Sequence, residues 1–251
     1  MQGKSLALSR KAESIILESV KDRLIDAVFR SDNAEDFSRI AREKIGHFYE
    51  NVALSSLDLG VKEGKALDLG TQFGLCAISL ARQDYDFEIT SFQDSVKSVE
   101  ISRNFAEKDI VEERIKWAMG KQESLPFADR TFDLVISGFD MHHWENPVLV
   151  FNEIDRVLKK NGALLIADLR RDAFSPMIPL LKAITSLTNQ ERIYEEVKHS
   201  FRSSYKKSEV AELLGNSSLE GCEISKDLQF VYIRRRRFEK RHIKIEISTG
   251  T

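Results

Sequence analysis

The chain is predicted to be an α/β protein, a parallel sheet with helices packed on both faces. Three observations carry that reading. From Lys65 onward, apolar strand-like runs alternate with helical periods. The first run, Lys65-Ala66-Leu67-Asp68-Leu69, ends in Gly70-Thr71-Gln72-Phe73-Gly74 and passes directly into the apolar helical segment Leu75 to Arg82. Hydrophobic residues make up 42% and charged residues 31% of the 251 residues, enough for a substantial core in one large domain with additions.

Before that unit, residues 5–30 carry Leu6, Ile15, Ile16, Leu17, Val20, Leu24, Ile25 and Val28 at helical spacing. Ser31-Asp32-Asn33 breaks the period, with Asp32 or Asn33 available to cap a second helix. That helix runs through Phe37, Ile40, Ile45, Phe48 and Tyr49 to about Val52. Neither helix holds a chemical motif. Residues 1–60 are therefore expected to form a helical cover, or a homodimer contact, in front of a main domain over 61–251.

The second strand is predicted over Phe87–Phe92, followed by Gln93-Asp94-Ser95 and a helix from Val96 to Ala106. Arg114–Met119 reads as the third strand, ending at Gly120, and Phe132–Gly138 as the fourth. A helix over Pro147–Leu158 leads to Asn161-Gly162, expected to turn the chain into a fifth strand, Ala163–Asp168. The rhythm then changes. Residues 173–200 read as a helical insertion, with Pro176 and Pro179 near its start, covering the carboxyl ends of the strands. Ser208–Leu214 is a short helix, and Gly221 to Arg237 reads as an antiparallel hairpin.

Composition excludes several classes. A net charge of −2 gives no general affinity for nucleic acid or membrane. No apolar run is long enough to span a bilayer, and Met1-Gln2-Gly3-Lys4-Ser5 opens no secretory signal. Cys76 and Cys222 have neither metal nor redox spacing, so no metal site is expected and a cytoplasmic setting fits. The tail Arg234-Arg235-Arg236-Arg237-Phe238-Glu239-Lys240-Arg241-His242 is the one strongly basic stretch; it suits RNA, an acidic protein or a phosphate-bearing substrate, or charges that protect an edge strand.

Function starts at the glycine turn. Strand, glycine turn and helix bring backbone N–H groups close to a nucleotide-like ligand, and a glycine there accepts φ > 0 without a Cβ in the way. Gly70 and Gly74 with Gln72 between them do not make the G-x-G-x-x-G of a dehydrogenase.

Downstream, Gly120-Lys121-Gln122-Glu123-Ser124-Leu125-Pro126-Phe127 through Val135, the pair His142-His143, and the run Glu153-Ile154-Asp155-Arg156-Val157-Leu158-Lys159-Lys160-Asn161-Gly162 stand in order. Together with the glycine turn, this pattern resembles the class I S-adenosylmethionine-dependent methyltransferases. It is most similar to the ubiquinone/menaquinone C-methyltransferase-like, type 11 subgroup. The resemblance runs from about Leu67 to Asp168.

It implies a Rossmann-like, doubly wound, seven-stranded sheet with S-adenosylmethionine across the carboxyl ends of the first strands. Asp68, Gly70, Thr71, Gln72 and Gly74 would hold the methionine part and the ribose. Gln93 or Asp94, at the end of the second strand, would face the ribose diol. Lys121 and Gln122 would lie at the adenine, and Gly138 is a further cofactor-binding candidate. The sequence departs from the family pattern at Gln72, Gln93 and Lys121, where a glycine and two acids are usual. An ammonium has donors only and cannot accept from the adenine amine. Two functions therefore stay open: a methyltransferase for a small-molecule acceptor, or the same fold with a changed site acting as a binding or regulatory protein or on another ligand.

Methyl transfer from a sulfonium needs alignment, and a base only where the acceptor loses a proton. Asp140, His142 and His143, just after the fourth strand, are the catalytic candidates. Asp168-Leu169-Arg170-Arg171-Asp172 faces the same crevice. Arg170 and Tyr205 are the candidate substrate-binding residues.

Overall fold

The computed structural model describes residues 34–173 and 191–237. The helix expected over 5–30, its break at 31–33 and most of the insertion lie outside the described residues. The chain runs α1 (Ala34–Leu57), β1 (Glu63–Leu69), a 3₁₀ turn (Gln72–Gly74), α2 (Leu75–Ala81), β2 (Asp86–Gln93), α3 (Val96–Lys108) and β3 (Ile115–Met119). It continues through β4 (Phe132–Gly138), a 3₁₀ turn (Met141–His143), α4 (Pro147–Val157), β5 (Leu158–Leu169), α5 (Glu191–Ser203), α6 (Lys207–Gly215), β6 (Glu223–Lys226) and β7 (Phe230–Arg235).

The seven strands form one sheet in the order β3-β2-β1-β4-β5-β7-β6. The first five are parallel, and β7 runs antiparallel to both β5 and β6. The strand order reverses between β1 and β4, which opens a crevice outside their carboxyl ends.

Period-two side-chain alternation divides the core between the two faces. Ala66, Leu134, Ile136, Ala163 and Leu165 pack with Tyr49 and Ala53 of α1 and Cys76 and Leu80 of α2. Leu67, Val135, Leu164 and Ile166 pack with Phe151 and Ile154 of α4 and Val210 and Leu213 of α6 on the other side. The helix predicted near the N-terminus is thus a cover laid on its own sheet, and it extends to Leu57 rather than Val52.

Capping explains where the helices begin. Asn146 Oδ1 accepts from Val148 N (3.1 Å) and Leu149 N (3.3 Å), with Pro147 pre-set for the first turn of α4. Ser95 Oγ accepts from Ser98 N at 3.2 Å to start α3.

Two expectations are corrected. Asn161-Gly162 does not make a turn into β5: the strand already starts at Leu158, and the ladder skips from Phe132↔Leu158 to Leu134↔Ala163, so the extra residues bulge within the strand. The arginines do not guard an edge, because β7 lies between β5 and β6. Arg235 instead reaches Gly162 O (3.3 Å), Lys159 O (3.2 Å) and Asp155 (3.6 Å). Arg234 lies over the Tyr232 ring at 4.3 Å, and Arg236 donates to Asp58 O at 3.0 Å. Each of these three arginines has a protein contact, with Arg235 buried, Arg234 half-buried and Arg236 exposed. No described helix is long and apolar enough to cross a membrane.

Candidate active site

The glycine turn is tied to both neighbouring strands. Gly70, at φ 70°, donates its N–H to Phe92 O at 2.9 Å, so the turn hangs on β2. Gly138 N, at the end of β4, donates to Thr71 Oγ1 at 3.0 Å. Phe73 (φ 55°) and Gly74 (φ 65°) are both left-handed and aim the chain into α2. A Cβ on Gly74 would stand 3.0 Å from the Trp117 ring and 3.1 Å from Ser91 Oγ, so a side chain here would be tight as well as strained by the left-handed backbone.

Asp68 sits fully buried beneath the turn. Its Oδ2 accepts from Ala77 N (3.1 Å) and Ser91 Oγ (3.4 Å); Ser91 is its register partner across the sheet. Burial pushes its carboxyl up to about 7, against the opposing pull of the Thr71 hydroxyl, the Ala77 N–H and the Ser91 hydroxyl. Ser91 escaped the sequence reading, though any strand register that sets β2 beside β1 brings it there.

At the end of β2, Gln93 turns inward and donates Nε2 to Thr71 O (3.2 Å) and Ser91 Oγ (2.9 Å). Asp94 is exposed at the mouth, accepting from Ser98 Oγ at 2.9 Å. After β3, Lys121 is exposed while Gln122 turns toward the crevice. Gln122 Nε2 donates to Asp140 Oδ2 at 2.7 Å, and the indole N–H of Trp144 donates to the same oxygen at 2.6 Å. Asp140 is therefore a strap joining the loop after β3 to the turn after β4. The side chain of Gln72 lies outside the described residues.

Phe139 makes the bend that presents the turn 141–143. It adopts φ 56°, held by its N–H to Ala167 O (3.0 Å) and by its ring against Phe48 (4.4 Å) and Phe230 (5.6 Å). Such a conformation costs a bulky residue on the order of 1–3 kcal/mol and persists where packing over-determines it.

Beyond the bend, His142 and Asp168 form a buried pair, exposed by 1% and 0%. Asp168 Oδ2 accepts from His142 N at 2.7 Å, and Oδ1 accepts from Leu169 N at 2.7 Å. His142 Nδ1 lies 2.7 Å from Oδ1, while its Nε2 is buried with no hydrogen-bond partner. The half-buried His143 ring stacks on His142 at 3.8 Å. Asp168 was placed at this crevice by sequence but not as the partner of His142. The signal was there, since an acid ending the strand next to β4 faces whatever follows β4.

The candidate substrate residues are buried. Arg170 is buried, donating Nε to Asp172 Oδ1 (3.1 Å) and Nη1 to Asp227 O. Arg170 in turn holds the Asp172 carboxyl below its ordinary range. Tyr205 is fully buried in the core beside α6, and its backbone bridges Arg170. Neither is brought together with the His142 turn by a described contact. Among the described residues no cluster of potential metal ligands occurs.

Known proteins are similar to this chain in sequence and fold. Residues 67–166, from β1 to β5, match the family of the methyltransferase domain. An uncharacterized methyltransferase, YcgJ of Bacillus subtilis, is 30% identical over 143 residues, covering 57% of this chain and 54% of its own. The demethylmenaquinone methyltransferase of Thermotoga maritima is 35% identical over 116 residues, covering 45% of this chain and 47% of its own. The chain thus spans about half the length of these curated relatives.

Among solved structures, one described as an S-adenosyl-L-methionine-dependent methyltransferase of Methanococcus maripaludis shares the fold. Its TM-score is 0.67 and its identity 22%, covering 86% of this chain and 96% of its own. The plantazolicin methyltransferase BamL, solved with a triazolic desmethylPZN analog and SAH, shares it with a TM-score of 0.63 at 17% identity over 85% of this chain and 79% of its own. Residues 67–166 thus match the methyltransferase domain, and the chain shares its fold with solved methyltransferase structures.

Proposed function

We propose that this protein transfers the methyl group of S-adenosylmethionine to a small-molecule acceptor. One observation carries the reading. The segment matched to the methyltransferase domain, 67–166, contains the Asp68–Gly74 turn, the end of β2, Gln122 and the Asp140–His143 turn, which are the walls of one crevice.

The residues present fit such a cofactor. Gly70 and Gly74 give the turn its left-handed backbone, and the fully buried Asp68 lies beneath it. A ribose diol needs acceptors, and the exposed carboxylate of Asp94 supplies them, while the Nε2 of Gln93 donates inward to Thr71 O and Ser91 Oγ. Gln122 offers the adenine amine an acceptor oxygen, because its Nε2 is already used by Asp140. Lys121 is exposed, so its ammonium is free to lie in solvent, away from a sulfonium. When bound, the sulfonium supplies an activated methyl group; the chain's own residues bind, orient and exclude water.

A small acceptor is supported by the basic run, in which Arg235 is buried and Arg234 and Arg236 already contact Tyr232 and Asp58 O. The free thiols of Cys76 and Cys222 accord with a reducing, cytoplasmic setting. Calorimetric titration with S-adenosylmethionine and S-adenosylhomocysteine tests the proposal. Micromolar binding of either is expected. No heat at millimolar ligand would sink it.

A further inference from the structure

The His142–Asp168 pair narrows the acceptor. Asp168 already accepts backbone N–H groups on both oxygens, from His142 and from Leu169, each at 2.7 Å. A carboxylate so placed is acceptor-only, so His142 Nδ1 must carry the hydrogen across its 2.7 Å contact with Oδ1. The tautomer is thereby set, and Nε2 is left with a lone pair. That nitrogen is buried and has no partner, a state that is ordinarily costly to leave uncompensated. It belongs to the turn after β4 that also carries Asp140, whose Oδ2 would stand 2.0 Å from a Cβ on Gly70, so this turn reaches the glycine turn through Asp140.

We infer that His142 is a general base and that Asp168 is the residue positioning it, so that the acceptor is one that must lose a proton: a phenol, an enol or another acidic O–H or C–H. The inference rests on the methyltransferase reading above. In the step, the acceptor's O–H or C–H pair closes on the methyl carbon while its proton passes to His142 Nε2. The C–S bond breaks with its electron pair staying on sulfur, leaving a neutral thioether. The imidazolium is held by Asp168, and the proton leaves to water as product departs. An acceptor without such a proton, a tertiary amine or a thioether, has no use for the pair.

Two measurements on the full chain test this. Nitrogen-detected NMR of the histidine rings at pH 8, above the ordinary imidazole range, reports the tautomer without any ligand. His142 is expected as Nδ1–H in the native chain and as Nε2–H in Asp168→Asn, whose amide donates to Nδ1. An Nε2–H tautomer in the native protein overturns the proposal whether or not any acceptor reacts. Methyl transfer is then followed by mass spectrometry with phenol, catechol and acetylacetone against N,N-dimethylaniline and dimethyl sulfide. Transfer confined to the first three, slowed roughly 10²–10³-fold by Asp168→Asn with S-adenosylhomocysteine affinity unchanged, supports it. Transfer to the last two, indifferent to the substitution, overturns it. Loss of cofactor binding in the native chain fails the methyltransferase reading instead and leaves the tautomer result standing.

Discussion

Asp140 lies directly over Gly70: a Cβ at residue 70 would stand 2.0 Å from Asp140 Oδ2 and 2.1 Å from Gln122 Nε2. Gly70 is thus a glycine on account of this protein's own strap as well as of any ligand. Gly70→Ala adds that collision to the cost of holding alanine at φ 70°, about 1–2 kcal/mol. The strap must shift, so the variant is expected to lose on the order of 2–4 kcal/mol and melt several degrees lower, with no detectable S-adenosylhomocysteine binding. A variant melting with the parent in a thermal scan would refute the close approach.

The strap also separates two roles for Asp140. Its Oδ2 receives both Gln122 Nε2 and the fully buried Trp144 indole N–H. Asp140→Ala strands that indole, at about 1–3 kcal/mol. Were Asp140 a base, methyl transfer would collapse while stability held. The opposite pattern is expected, with a lowered melting temperature and altered tryptophan emission preceding any loss of turnover.

Asp68 makes stability depend on pH. In the folded chain its carboxyl holds its proton up to about 7, whereas its ordinary value is 3.8. Between these values the folded state binds more protons than the unfolded one, so stability falls as pH rises through the window and levels off above it. At about 1.4 kcal/mol per pH unit, the full cost is roughly 4 kcal/mol. Asp68→Asn carries no such charge and keeps an acceptor for Ala77 N–H. Its stability relative to the parent should therefore improve steadily from pH 4.5 to 7.5 in denaturant titrations. Parallel curves would mean that Asp68 is solvated after all.

Periodicity made much of this legible and chemistry less. The β4 bounds, the parallel alternation and the hairpin at the end follow from side-chain pattern, because burial on two faces dictates apolar runs of strand length. Gly162 misled for a physical reason: a Cβ there would stand 2.6 Å from the Leu158 side chain, so the glycine serves close packing within a bulged strand and not a turn. His142 could be picked out as a residue of the right type in the right place. That Asp168 sets its tautomer needed the β4–β5 pairing, in which Gly138 faces Ala167. Asp140, Arg170 and Tyr205 have the chemistry of site residues, but the sequence could not show that Asp140 takes the Trp144 indole N–H, that Arg170 pairs with Asp172, or that Tyr205 is buried in the core.

The end of β2 offers a test in which neighbouring residues should answer differently. Gln93 is buried and spends its amide on Thr71 O and Ser91 Oγ, so Gln93→Ala should lower the melting temperature and disturb the turn that Thr71 belongs to. Asp94 is exposed and contributes to the fold mainly through Ser98. Losing a charged acceptor for a diol costs about 1.5–3 kcal/mol, so Asp94→Ala should weaken S-adenosylhomocysteine at least about tenfold with stability nearly unchanged. Calorimetry and thermal unfolding on the same preparations separate the two effects. If Gln93→Ala cuts affinity while keeping its melting temperature, and Asp94→Ala leaves affinity intact, then the buried amide swings out to meet the ribose and the acceptor has been assigned to the wrong residue.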